Sequence, residues 1–293
     1  MKKTNAGRFA ILICFALVVA LFAAAPAMAK TKHKLIKQYT YKYYDKNNKL
    51  DMPDGVKYRK TTIKYNKKKD PKNIKTLNYL KNGKTELYDN SIISYKYKKG
   101  VKKSCVLVDD PEAIYNTYTY KKGVPVKLDS DNDGYINVYD YSFKSRYAYK
   151  VKHQYFGSDE SDNYKTTTKL KVKIKKGLPV KITHKDSTDN CYATFNTKGK
   201  AKGLLKKAYV ERNYDESHFS YTYNYKYSFK KGLVKTAKVI GTFRDITEKK
   251  SEKYTEVYSF KYTKSKTSLK RYDSMFNDIL QPDAFMLVNT YWF

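Results

Sequence analysis

The stretch DSDNDGYINVYD, residues 129–140, carries the sharpest local chemistry in this chain. Asp129, Asp131 and Asp133 alternate ahead of Gly134, and Asp140 stands at the twelfth position. Carboxylates at alternate positions can surround one hard cation, and a glycine among them permits a sharp turn, so calcium is the ion to expect here. Catalytic chemistry has far less to work with. The histidines at 33, 153, 184 and 218 have no metal-ligand spacing, and G-x-S-x-G, H-E-x-x-H and a phosphate loop are all missing from the sequence. Cys105 and Cys191 have no nucleophile context, so the sequence reads as a binding protein rather than an enzyme.

The acidic spacing resembles the calcium loop of EF-hand and dockerin proteins, with Asp140 in the dockerin-like last place. That resemblance implies an exiting helix. Residues 135–143, YINVYDYSF, alternate as a strand instead. An acidic hairpin turn is therefore the competing reading of the same residues.

Lysine and tyrosine offer the other binding chemistry. Lys98 and Lys99, Lys121 and Lys122, Lys175 and Lys176, and Lys230 and Lys231 each precede a glycine, giving a repeated Lys-Lys-Gly. These pairs are the candidate polyanion contacts. The chain has 32 tyrosines. Tyr221, Tyr223, Tyr225 and Tyr227 form an alternating aromatic face that is either strand core or a stacking platform for a ligand.

The elements that position these residues are strands. In YTYNYKYSF the aromatic residues share one face, with Thr222, Asn224, Lys226 and Ser228 on the other. In TKLKVKI, Leu170, Val172 and Ile174 oppose Lys169, Lys171 and Lys173. Period two with one apolar and one polar face predicts antiparallel sheet wet on one side. Lys-Lys-Gly between two such runs predicts a tight hairpin, because glycine supplies positive φ. The pattern repeats about every 54 residues, at Lys121, Lys175 and Lys230, with a fainter copy at Lys67. From residue 81 the predicted turns alternate in sign. Basic turns fall at 81–84, 98–100, 121–123, 144–146, 175–177, 198–203, 230–232 and 264–266. Acidic turns fall at 89–90, 109–112, 129–134, 159–163, 186–190 and 215–216, and 244–252 is mixed. In an up-and-down meander this order gathers the lysine turns at one rim and the acidic turns at the other. The hairpin phrase, as in Tyr118, Tyr120, Gly123 and Val124, resembles the tyrosine-bearing YD/RHS repeats of secreted bacterial proteins, with lysines here where those repeats have Asp and Arg.

Residues 1–29 read as a signal peptide: Lys2, Lys3 and Arg8, then an apolar run over 9–24, then Ala27-Met28-Ala29. Without them the net charge falls from +33 to +30, and no transmembrane segment remains. Export permits a disulfide between Cys105 and Cys191; two buried thiols are the other reading. Residues 272–285 predict a short helix with Asp273 or Ser274 as N-cap, within a distinct segment over 272–293 that closes on a possible strand, FMLVNTYWF.

The expected fold is all-β: a single domain over 30–293 holding one extended, curved, antiparallel up-and-down meander of roughly fifteen strands. It rolls into an open or closed barrel, with a two-sheet sandwich as the alternative. The expected function is a secreted or cell-wall-associated bacterial protein that binds an anionic polymer or the cell envelope. The polymer classes are a wall polymer, an acidic glycan and extracellular nucleic acid. A carrier of lipid or another apolar ligand on a rolled aromatic sheet, and a structural or adhesive repeat protein, are the alternatives. An outer-membrane barrel fits poorly with so many lysines.

Overall fold

The computed structural model describes residues 33–280, apart from residues 54, 111–113, 122–123, 133–134, 145–146, 158–162, 177, 186 and 215–216. The signal peptide and the expected last strand lie outside the described residues. Seventeen strands follow one another: β1 (Lys34–Tyr44), β2 (Val56–Tyr65), β3 (Pro71–Leu80), β4 (Thr85–Lys98), β5 (Val101–Asp110), β6 (Ile114–Lys121), β7 (Val124–Asn132), β8 (Tyr135–Lys144) and β9 (Tyr147–Phe156). Then come β10 (Tyr164–Lys169), β11 (Lys171–Lys175), β12 (Leu178–Lys185), β13 (Asp189–Phe195), β14 (Leu205–Tyr214), β15 (Ser217–Lys230), β16 (Leu233–Asp245) and β17 (Lys250–Lys266). A single described helix, α1 (Leu269–Leu280), closes the series. The count exceeds fifteen partly because one strand is broken at Leu170 into β10 and β11.

Every register is antiparallel, and sequence neighbours pair throughout except at that break. The first and last strands also meet: β1 pairs with β17, from Lys34 opposite Lys266 to Tyr44 opposite Thr255, and with β2. The meander is thus a nearly closed barrel with one seam. At the seam β10 pairs only with β9, and β11 only with β12.

The 54-residue period acquires a structural meaning. Four strands separate the turn after β2 from the turn after β6, counting β3 to β6. Four more, taking β10 and β11 as one, lead to the turn after β11, and four more to the turn after β15. An even number of reversals returns the chain to the same rim, so the Lys-Lys-Gly turns belong to one rim. The remaining four strands are β16, β17, β1 and β2, joined by the β1–β17 register. Both ends of the chain build the fourth quarter.

At the basic rim the turn residues take positive φ at both central positions, as at Lys99 (48°) and Gly100 (77°), and at Lys231 (52°) and Gly232 (75°). Two positive values are what a type I′ hairpin requires. A register shift stands near each of these turns, between Lys64/Tyr65, Lys96/Tyr97, Thr119/Tyr120, Ser142/Phe143, Lys173/Ile174, Thr194/Phe195 and Ser228/Phe229. Bulges increase twist and bend a strand, so they curl the wall at this rim.

The tyrosines explain how that curled rim stays satisfied. Tyr227 Oη donates to the Leu205 carbonyl at 2.9 Å, and Tyr65 and Tyr262 donate to the carbonyls of Ile36 and Val234. All three acceptors sit at register shifts. A phenol can fill apolar space with its ring and pair a carbonyl with its tip. Helix α1 covers this end. Met275, Phe276 and Leu280 are buried against the inner faces of the wall, with Phe276 set edge-on to Phe260 at 4.7 Å. The helix begins at Leu269 rather than near 273. Its N-cap is Ser268, whose hydroxyl accepts from the Arg271 amide at 3.3 Å, so neither Asp273 nor Ser274 caps it.

Two predicted turns are absent. Residues 264–266 are the end of β17. Residues 89–90 lie inside β4, beside a shift between Thr76 and Leu77. Asp89 and Asn90 stand in register opposite Thr76 and Lys75, next to a bulge at Tyr88, and make no reversal. The basic turn at 81–84 consequently falls on the acidic rim. Elsewhere the alternation follows the topology. Lys98/Val101, Lys121/Val124, Lys175/Leu178 and Lys230/Leu233 end strands at the basic rim. Asp110/Ile114, Asn132/Tyr135, Phe156/Tyr164 and Tyr214/Ser217 end them at the other.

Candidate anion-binding surface

Along β15 and β16 the wall is apolar inside and basic outside, whereas Leu87, Tyr88, Ile92, Tyr115 and Tyr164 on other strands are exposed. On β16, Val234, Ala237 and Val239 are buried while Lys235 and Lys238 are exposed; on β15, Tyr225 is buried between exposed Asn224 and Lys226. Tyr221, Tyr223 and Tyr227 pack against the same core. The structure therefore places the aromatic face of 221–227 inward. Val239 lies opposite Tyr225 and Ala237 opposite Tyr227.

The basic-rim lysines are distributed around the barrel mouth rather than gathered at one point. Lys98 and Lys99, Lys121, Lys175 and Lys176, and Lys230 and Lys231 are all exposed; Lys122 lies outside the described residues. The acidic stretch is mostly strand. Asp129 and Asp131 fall on β7, with Asp131 opposite Tyr115 and Ile136. Asp129 pairs with Lys127 at 2.7 Å, and Asp140 lies opposite Lys127 on β8. Asp133 lies outside the described residues. Among the described residues no three His, Cys, Asp or Glu side chains gather to hold a metal ion. Cys105 and Cys191 are buried, on β5 and β13, and form no disulfide. Burial pushes the Cys105 thiol up to about 11.

The histidines are occupied structurally. His153 bonds Asn137 at 2.9 Å and stacks on Tyr139 at 4.3 Å, and His218 pairs with Glu211 at 3.0 Å. Hydrogen bonds from His218 and Asn190 hold the Glu211 carboxyl below its usual range.

A buried charge cluster ties α1 to the wall. Asp70 accepts from Tyr97 Oη at 2.6 Å, from Lys102 Nζ at 2.9 Å and from Arg271 at 3.2 Å. Burial alone would raise the Asp70 carboxyl, but the bonds from Tyr97 and Lys102 and the two cations outweigh it, so its pKa falls. Burial draws the Lys102 ammonium below its usual range, and Asp70 offsets part of this.

At the seam, positive charge lines a concave surface. Two adjoining hollows, about 540 and 660 Å³, share Leu170, Lys171 and Thr183. Lys150, Lys169 and Lys185 line the first; Lys173 and Lys181 line the second, with Val172 and Ile174. No carboxylate is among these lining residues. Leu170 is buried, between Val151 of β9 and Ile182 of β12, which are buried as well. It thus gives the cleft an apolar floor.

Spacing alone did not reveal this set. The alternating lysines of TKLKVKI were legible as one face of a strand, but Lys150, Lys181 and Lys185 join them only through pairing. Their signal was the lysine content of each neighbouring strand.

No family model and no curated protein matches the chain. Among solved structures, the chain is similar to a porin-like protein from Bacteroides uniformis. The TM-score is 0.51 at 15% identity, over 79% of this chain and 98% of that one. The likeness is one of fold: an antiparallel β-barrel. No described helix is long and apolar enough to cross a membrane.

Proposed function

We propose that this chain is an exported, envelope-associated binding protein for an anionic polymer, acting by binding rather than catalysis. The observation that carries the reading is the polarity of the wall. Aromatic and aliphatic faces turn inward, and Lys37, Lys57, Lys64, Lys72, Lys75, Lys226, Lys235, Lys238, Lys253 and Lys261 are exposed along the strands. A bilayer-spanning barrel needs the opposite arrangement. Each lysine facing lipid at mid-membrane costs about 2–4 kcal/mol, which weighs against a bilayer-spanning role for this wall. In water the same lysines repel one another across strands, and an anionic polymer relieves that repulsion.

The test is retention of the protein on an immobilised polyanion across a salt series. With some six phosphate contacts on a DNA-like polymer, affinity falls by about 10³-fold between 50 and 200 mM salt. Replacing Lys98/Lys99, Lys121/Lys122, Lys175/Lys176 and Lys230/Lys231 with Gln weakens retention and flattens the slope. Retention indifferent to salt and to these changes overturns the reading.

A further inference from the structure

We infer that the seam is a discrete binding cleft for a flexible polymer of phosphodiester-linked polyol units. This rests on the anionic-polymer reading and names its gripping site and ligand class.

Three observations converge on the seam. The first is charge with shape. Six lysines line two adjoining hollows that no described carboxylate enters, whereas the basic-rim pairs sit on separate convex turns. The second is the broken ladder. Among the described residues no register joins β10 to β12 or β11 to β9, so backbone groups along those two edges lie outside the ladder. One of them, the Lys169 carbonyl, is met by His184 Nδ1 at 3.0 Å. Edge N–H groups, with the Thr183 hydroxyl, are neutral donors of the kind that complete the solvation of a phosphate oxygen. The third is the reason the ladder breaks. Lys150 lies opposite Lys169. Extending the β11–β12 register, in which Lys171 faces Thr183, by two places would set Lys169 opposite Lys185. Three lysines abreast would then share one row, and like charges directly opposite destabilise a sheet. An anion seated among them supplies the missing counter-charge.

The lining also selects the polymer. Single-stranded nucleic acid is held by aromatic side chains on which bases stack, with lysines along the backbone. The residues lining both hollows are Lys, Leu, Val, Ile and Thr, with no aromatic ring. An apolar floor at Leu170 flanked by ammonium groups suits a short polyol linker between phosphates. It offers nothing to a base.

The experiment compares binding of synthetic poly(glycerol phosphate) and of oligo-dT matched in charge. The proteins are wild type, a seam variant (K150Q/K169Q/K171Q/K185Q) and a variant losing the same charge from the opposite wall (K226Q/K235Q/K238Q/K261Q). Circular dichroism and the thermal midpoint confirm that each folds. The expected result has two parts. Wild type prefers poly(glycerol phosphate), and the seam variant flattens the log–log salt slope by up to about 3, four contacts at 0.7 each, well beyond the opposite-wall variant. Equal losses from both variants overturn the seam site and leave diffuse attraction. A wild-type preference for oligo-dT overturns the ligand class. Failure of wild type to bind either polymer at low salt removes the anionic-polymer reading itself.

Discussion

The wall formed by β15, β16, β17 and β1 and the seam at β9 to β12 are built from the same alphabet and behave differently. Between β15 and β16 twelve positions pair, from Phe219 opposite Asp245 to Lys230 opposite Leu233. At the seam six positions join β9 to β10 and five join β11 to β12. The closed wall also contains a lysine pair, Lys226 opposite Lys238, but Val257 follows on β17 and Lys42 only beyond it. The closed wall keeps two lysines abreast with a neutral residue beside them, whereas a continued ladder at the seam would set Lys150, Lys169 and Lys185 in one row. The interiors differ as well. Phe260, Tyr262, Tyr272 and Phe276 interlock behind the closed wall, while Leu170 with Val151 and Ile182 seals the seam from inside.

If the closed wall and its helix carry the stability, the largest effect is expected there. Phe276→Ala removes a fully buried ring and is expected to cost about 3–5 kcal/mol in urea unfolding. A cost near zero would show that α1 is a dispensable cover.

Asp70 anchors the other end of that helix. Replacing it by Ala strands Lys102 and Arg271 and is expected to cost about 3 kcal/mol. The sign of its pH dependence follows from its lowered pKa. The stabilisation is fully present above the unfolded-state value near about 4 and is lost as pH falls through the folded value. Unfolding measured from pH 6 to 2 therefore steepens at the acid end in wild type and less so in Asp70→Asn. Parallel profiles would remove Asp70 from the latch.

Gly241 sits between Tyr223 and Tyr254 in the ladder, and a Cβ there would lie 2.1 Å from the Tyr254 ring. Gly241→Ala is expected to cost about 1–3 kcal/mol by overpacking, read as a lower denaturation midpoint with an unchanged slope. A neutral result would mean that Tyr254 swings away freely.

The smallest effect sharpens the contrast most. Lys185→Glu replaces the third lysine of the prospective row by its opposite charge. It is expected to add about 0.2–1 kcal/mol and to slow amide exchange over residues 165–169 by extending the ladder. Unchanged exchange there would mean that charge does not hold the seam open.

Much of this organisation was legible locally. Period two in YTYNYKYSF, Lys-Lys-Gly at the hairpins and alternating turn sign gave the strands, the meander and the two rims, because each is a short-range consequence of backbone geometry. The 89–90 turn misled because Asp and Asn are common turn residues, and only pairing with Thr76 and Lys75 on β3 shows that they lie within a strand. The described candidate lysines at the turns are exposed where expected, but no residue pattern showed that Lys150, Lys169 and Lys185 line one hollow.

The sequence by itself determined which residues face in, where the chain reverses and that the exterior is basic, since those follow from side-chain alternation and turn chemistry within a few residues. Tertiary structure alone decided that β1 closes on β17, that α1 covers the basic rim and that one strand divides its pairing at Leu170. Each of these depends on which distant strands become neighbours, and no stretch of sequence carries the charge or the register of the strand that will lie beside it.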